Sequence, residues 1–343
     1  MNTGKPKKFR YFIGIDVSRN ELDYAVMQGN SLLFHKETKN EPEAILTQVN
    51  EIKSLPGFTV TKSVFCMEHT GFYCNHLVST LKKIKANIVL ENAIQIKNSL
   101  GLIRGKSDKI DSIRIAQYAY TNRENLRLKE QPRPVIIQLA GLNTLRSRLL
   151  GVQIALKTPI KEESTFVNKG IHRGNVVGCE KSIDAITTDI LNVEDSIAQL
   201  INSDEHIKRL MKIITSVPFI GKITALHIII ATNEFKDISC PKKFACYCGV
   251  APFPKESGKM FRRARISNLA NKKIKSLLHI CVVGSLKSNA EFRDYYLKKI
   301  GEGKPRMAVL NALRYKMITR IFACVKQDRL FMKEYSLIMN NSK

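Results

Sequence analysis

Tyr11-Phe12-Ile13-Gly14-Ile15-Asp16-Val17-Ser18 is a short apolar run that ends on a carboxylate, and its reading decides the fold. Such a run reads as a buried strand that delivers an acid to a sheet edge. Residues 21–26 and 31–36 read as two more strands, joined across Gln28-Gly29-Asn30, a hairpin turn signal. After a helix-like stretch at 43–53, Lys62-Ser63-Val64-Phe65-Cys66-Met67-Glu68 repeats the opening pattern, again an apolar strand closing on a carboxylate. His69-Thr70-Gly71 then turns into a helix at 73–83, and residues 87–91 read as a fifth strand.

Three antiparallel strands, helix, strand, helix, strand, helix is the ribonuclease H-like order of an α/β domain. The closing helix begins near Arg104-Gly105-Lys106-Ser107-Asp108-Lys109-Ile110-Asp111. Asp108 and Asp111 are three residues apart and share a helix face, with Ile110, Ile113 and Ala116 expected to turn into the core. One helix end can thereby present two carboxylates to the strand ends that carry Asp16 and Glu68. Taken singly, each acid has an ordinary structural reading: Asp16 caps a turn, Glu68 sits at the surface, and Asp108 and Asp111 answer a helix dipole. Their joint placement in one topology points instead to a metal site. Carboxylates in one pocket repel unless a cation compensates them, and oxygen-only ligands suit Mg²⁺ or Mn²⁺.

The chain has 343 residues, enough for two globular units, and 44% of them are hydrophobic. With 56 Lys+Arg against 30 Asp+Glu the formal net charge is +26, spread along the chain, so the favoured partner is nucleic acid. No apolar stretch is long enough to span a membrane, and the run behind the basic start breaks at Asp16, too early for a signal peptide. The eight cysteines form no CxxC pair, which fits reduced thiols in a cytoplasmic protein better than a zinc site.

Pro132 and Pro134 punctuate the chain, and long helical patterning follows from 135 to about 210. The stripe Leu139, Leu142, Leu145, Leu149 and the later Ile183, Ile186, Ile190, Val193, Ile197, Leu200 predict a helical, coiled-coil-like arm, interrupted by a loop at 170–178. The expected division is residues 8–130, 131–208 and 209–343, the last mostly α-helical. Within it, Val217-Pro218-Phe219-Ile220-Gly221 between two apolar helices reads either as a phosphate-holding helix-hairpin-helix turn or as a plain helical hairpin. Phe219 stands where the first turn glycine of such a motif is usual. Further on, a loop carries Ser257-Gly258 among Lys259, Arg262, Arg263 and Arg265, and Lys272 and Lys273 open the next helix. As a nucleophile Ser257 needs an activating base or metal and cations on the phosphate; on the residues alone a Ser-Gly turn is the commoner reading.

Six motifs in register carry a resemblance over nearly the whole chain: Gly14-Ile15-Asp16-Val17-Ser18, Met67-Glu68-His69-Thr70-Gly71, Lys106-Ser107-Asp108-Lys109-Ile110-Asp111, Val217-Pro218-Phe219-Ile220-Gly221, Cys248-Gly249-Val250-Ala251-Pro252 and Ser257-Gly258. In these the chain resembles the DEDD transposases of bacterial insertion sequences, bridge-RNA-guided recombinases whose relatives include the Piv invertase. The resemblance implies a RuvC-like domain in which Asp16, Glu68, Asp108 and Asp111 carry the metal. It also implies a C-terminal transposase domain whose Ser257 forms a covalent phosphoserine with DNA. It further implies a composite site shared between subunits of a dimer or tetramer, donor and target DNA, an element-encoded guide RNA, and action at the bacterial nucleoid. Lys106, Lys259, Arg262, Arg263, Arg265, Lys272 and Lys273 are the candidate nucleic-acid contacts. The chain departs from the family pattern at Phe219, and at Ala270, where glycine is common before Asn271. Competing readings are a RuvC-type nuclease that hydrolyses DNA with water, a non-catalytic nucleic-acid-binding scaffold, and an actin-like ATPase or sugar kinase, which needs further glycine-rich phosphate loops not found in the sequence and fits a charge of +26 poorly.

Overall fold

The computed structural model describes residues 8–68, 70–99, 107–130, 132–257, 260–266, 269–288 and 290–332, the side chains of 253–257 and 260–265 excepted. The chain forms two compact units, residues 1–131 and 132–343.

The first unit runs β1 (Tyr11–Val17), β2 (Glu21–Gln28), β3 (Ser31–Lys39), α1 (Pro42–Lys53), β4 (Ser63–Glu68), α2 (Asn75–Lys83), β5 (Asn87–Glu91), α3 (Ala93–Ser99) and α4 (Asp108–Thr121). Its five strands lie in the order β3-β2-β1-β4-β5. The hairpins β1–β2 and β2–β3 are antiparallel, while β4 and β5 join in parallel, an RNase H-like α/β sheet. Both faces of β1 are covered, which is why its sequence is apolar without alternation. Tyr11, Ile13, Ile15 and Val17 pack with Ile45, Val49 and Ile52 of α1 and Leu77 and Leu81 of α2. On the other face Phe12 meets Cys66, Val89 and the Ile115, Ala116 and Ala119 side of α4.

Gly14 sets the distance of α4 from the sheet. A Cβ there would lie 2.2 Å from the Ala116 amide nitrogen and 2.2 Å from the Ser112 carbonyl oxygen. Only glycine lets the helix backbone rest directly on β1. That contact turns Ser112 and Ala116 inward, so Ile110, expected in the core, is instead 37% exposed.

The second unit runs α5 (Pro134–Phe166), α6 (Lys169–Ser203), α7 (Glu205–Ser216), α8 (Lys222–Thr232), α9 (Pro241–Tyr247), β6 (Phe253–Ser257), β7 (Met260–Arg265), α10 (Lys272–Ser288), α11 (Ala290–Gly301) and α12 (Arg306–Lys326). The long helices α5 and α6 lie antiparallel, tied by Arg146 to Glu194, by Gln153 Nε2 donating to Thr187 Oγ1 at 2.8 Å, and by Asn175 Nδ2 donating to Glu163 Oε2 at 2.8 Å. The loop expected at 170–178 is helix. Asn168 caps α6 by accepting the Gly170 N–H at 2.8 Å, and His172 and Asn175 bond α5, which offsets the roughly 1 kcal/mol that each glycine costs a helix. The roots of both helices, with Ile136, Leu139, Val193 and Ile197, enter one core with α7–α12. Ser257 and the arginines, expected on a loop, belong to a two-stranded hairpin. All eight cysteines are free thiols. No helix among the described residues is long and apolar enough to cross a membrane.

Candidate active site

In the first unit the strand ends assemble a row of acids. Asp16 and Asp23 are register partners across β1 and β2, and Glu68 and Glu91 are partners across β4 and β5. Ile15 pairs with Met67, so Asp16 and Glu68 come next along adjoining strands. The four therefore face one side of the sheet, the side covered by α4. Ser107 starts that helix: its Oγ accepts the Ile110 N–H at 3.3 Å. Asp108 and Asp111 stand in the first turn, where the helix dipole also favours them. The Gly14 contact seats this turn over the row.

The electrostatics follow from this seating. Burial first, then the charges of Glu68, Asp108 and Asp111, push the Asp16 carboxyl up to about 6. Burial and the charge of Asp111 push Glu68 in the same direction. The charges of the other three sequence-predicted acids thus reach Asp16, and that of Asp111 also reaches Glu68. Arg114 Nη1 donates to Asp111 Oδ1 at 2.7 Å. Among the described residues no three His, Cys, Asp or Glu side chains are grouped as a metal's ligands would be. Mutual repulsion favours such spacing. The donor set itself, carboxylate oxygens gathered where burial and like charge disfavour their ionised form, fits a hard divalent cation.

Asp23, Glu91 and their partners escaped the sequence reading. Asp23 is 6% exposed and bonds His35 Nε2 at 2.7 Å. Glu91 accepts from the Tyr118 hydroxyl of α4 at 2.9 Å, fastening the far end of the helix to β5. The signal for Glu91 was present, since β5 is a third parallel strand ending on a carboxylate. Asp23 has no local signal and appears only through pairing.

The remaining candidates lie in the second unit. Ser257 ends β6 with Met260 as its register partner, and Arg262 pairs with Lys255. Arg263 and Arg265 share β7. Lys106, Gly258 and Lys259 lie outside the described residues. Lys272 and Lys273 are exposed at the start of α10, which Asn271 caps by accepting the Ile274 N–H at 3.0 Å. In the α7–α8 turn Phe219 takes φ +70°, the left-handed conformation for which glycine is usual. Ala270, the other departure, packs over Gly249: a Cβ on that glycine, which has φ +63°, would sit 2.5 Å from the Ala270 methyl.

A DEDD-type IS110 transposase profile matches residues 13–162, and a profile described as the IS116/IS110/IS902 transposase family matches 211–297. The chain belongs to the IS110/IS116/IS902 family of transposases. Pilin gene-inverting proteins of Moraxella bovis and Moraxella lacunata are each 24% identical to this transposase over 327 residues, 94% of its length and 98% of theirs. A 44.8 kDa protein of insertion element IS116 from Streptomyces clavuligerus is 21% identical over 267 residues, 74% of this chain and 65% of its own. The first match crosses from the sheet into α5, so the family pattern takes in parts of both units. A transposase of this family is an enzyme that cuts and rejoins DNA.

Proposed function

We propose that this transposase cuts and rejoins donor and target DNA through Ser257, with Asp16, Glu68, Asp108 and Asp111 holding Mg²⁺ or Mn²⁺. The observation that carries the reading is the gathering of the four acids, where burial first and then the charges of Glu68, Asp108 and Asp111 leave Asp16 raised to about 6 inside a chain of net charge +26. A structural ion pair lowers a carboxyl; this cluster does the reverse. When bound, the divalent cation would orient the phosphodiester and offset the charge that develops on it.

The Ser257 oxygen attacks phosphorus as its proton passes to water, the bond from phosphorus to the departing sugar oxygen breaks, and that oxygen takes up a proton from water. A phosphoserine results, and attack by the hydroxyl of a second strand frees the serine and rejoins DNA. Arg262, Arg263 and Arg265, with Lys106, Lys259, Lys272 and Lys273, neutralise backbone phosphates. The acids belong to one unit and Ser257 to the other, as a site completed between subunits requires. The arm also suits a dimer or tetramer, because Ile154, Phe166, Ile171 and Val177 on α5 and α6 are 60–90% exposed. The partner that selects the DNA is an element-encoded RNA.

Denaturing gels of end-labelled element DNA incubated with the protein test the serine step. The expected result is a protein-linked label that Ser257→Ala abolishes. An adduct that survives Ser257→Ala overturns it; cleavage with no adduct does too, and assigns the attack to water. Sequencing of copurified RNA tests the guide, with a discrete element-derived species expected.

A further inference from the structure

The second unit holds a buried cation that no anion among the described residues answers. Arg314 of α12 is 1% exposed. Its Nη1 donates to Asn311 Oδ1 at 2.5 Å, its Nη2 donates to His279 Nδ1, and its Nε is buried with no partner among the described residues. Two of five guanidinium N–H groups are thereby used. None of the ion pairs among the described residues involves Arg314. Its other titratable neighbours are basic: Lys275 and His279 lie one turn apart on α10, and burial together with the Arg314 charge holds both below their usual range. Buried charges in proteins are paired or hold a ligand, and among the described residues no carboxylate pairs with Arg314.

The place of the cluster indicates what fills it. The Lys275 stem comes within 3.9 Å of where a Cβ on Gly249 would stand, beside Ile266, the residue that follows β7. Asn311 bonds the guanidinium and also lines a groove of about 960 Å³ with Lys242, Pro252, Ile266 and Tyr315. The groove therefore opens at the root of the Ser257 hairpin, and Asn311 links it to the Arg314 guanidinium. A guanidinium fork with spare donors matches a tetrahedral oxyanion, and the chain's substrate is itself a polyphosphate.

We infer that Arg314, with Lys275 and Asn311, forms a binding site for a backbone phosphate of a nucleic-acid strand lying in this groove. The inference takes its ligand from the transposase assignment and is independent of Ser257 as nucleophile, so its test uses binding and no cleavage.

Melting of the full-length protein is followed in inorganic phosphate and in chloride at equal ionic strength, for the unaltered chain, Arg314→Met and Lys275→Ala. The expected result is a phosphate-specific rise in Tm that Arg314→Met abolishes and Lys275→Ala reduces. With the uncompensated charge gone, Arg314→Met melts no lower than the parent in chloride. Binding to DNA and RNA oligonucleotides is measured alongside. Arg314→Met weakens binding roughly tenfold and lowers the slope of log K against log salt by about 0.9, the signature of one phosphate. A loss with DNA assigns the phosphate to the substrate strand, and a loss confined to RNA assigns it to a guide strand. Equal phosphate shifts in all three proteins with unchanged nucleic-acid binding overturn the site. Should Arg314→Met fail to fold, Lys275→Ala decides in the same way, since it leaves Arg314 in place.

Discussion

Two carboxylates, one in each unit, are treated in opposite ways. The Glu234 side chain is 0% exposed, yet Arg133 bonds both its oxygens, Lys236 donates at 3.0 Å, and these cations hold its carboxyl below the usual range against the pull of burial. Arg133 also grips Asp204 at 2.7 Å. Asp16 has burial without the cations, and its neighbours are further acids. The first arrangement is complete in itself and fixes a fold: Asn233, Glu234 and Phe235 form a run of three left-handed residues, a conformation that persists only when its surroundings over-determine it. The second is complete only with something added. Arg314 is the same case with the sign reversed. Burial alone therefore does not distinguish structural from functional charge in this chain; the sign of the surroundings does.

The comparison breaks most visibly under neutralisation. Asp16→Asn removes a desolvated charge that three acids repel, so the variant should melt no lower than the parent while DNA strand cleavage falls by roughly 10³-fold. A large drop in Tm together with lost activity would make Asp16 a structural acid like Glu234. Arg133→Met should do the reverse, lowering the free energy of unfolding by about 3 kcal/mol at neutral pH, because it takes the partner of both oxygens from a buried carboxylate and leaves Lys236 as its main cation. The sign with pH follows from the depressed Glu234 carboxyl. Its contribution is present above the unfolded carboxyl value and is lost as pH falls through the folded one. The gap between parent and variant in urea unfolding should therefore close below about pH 4.

Gly14→Ala sharpens the comparison at the level of architecture. The new methyl meets α4 backbone at 2.2 Å, which no rotamer relieves, so the helix must lift. Overpacking of this kind costs about 1–3 kcal/mol. Asp108 and Asp111 ride on the lifted end, so activity should fall further than a stability loss of that size explains, when measured below the melting transition. An active Gly14→Ala would uncouple the seating of α4 from the chemistry.

The legibility of the two units differs for the same physical reason. β1, β4 and β5 announce themselves because strands covered on both faces read as continuous apolar runs, and an acid that ends such a run stands out. Strand order and the acids Asp16, Glu68, Asp108 and Asp111 were therefore readable, whereas Asp23 needed the β1–β2 register. The glycines of α6 read as a loop because their cost is local, while the Asn168 cap and the bonds to α5 that offset it are not. The Ser257 segment read as a loop because the pairing of β6 with β7 has no local signal, and nothing local marks Arg314, whose surroundings are supplied by α10.

The smallest effect is expected in the α7–α8 turn, where the departure from glycine at Phe219 becomes a measurement. A side chain at φ +70° costs a non-glycine residue about 1–2 kcal/mol, and Phe219 is 39% exposed, so packing returns only part of that. Phe219 lines a small cavity with Leu277 and Ile280 of α10, and Ile280 is 65% exposed. Phe219→Gly should therefore raise the free energy of unfolding by up to about 1 kcal/mol, read as a higher urea midpoint at unchanged slope. If the turn amides hold a backbone phosphate, the same variant should bind DNA as well as the parent or better, because glycine permits the approach that a benzyl group obstructs. A lower midpoint would mean that the ring's contact with α10 outweighs its backbone strain, and would turn this position from a tolerated departure into a packing residue of the second unit.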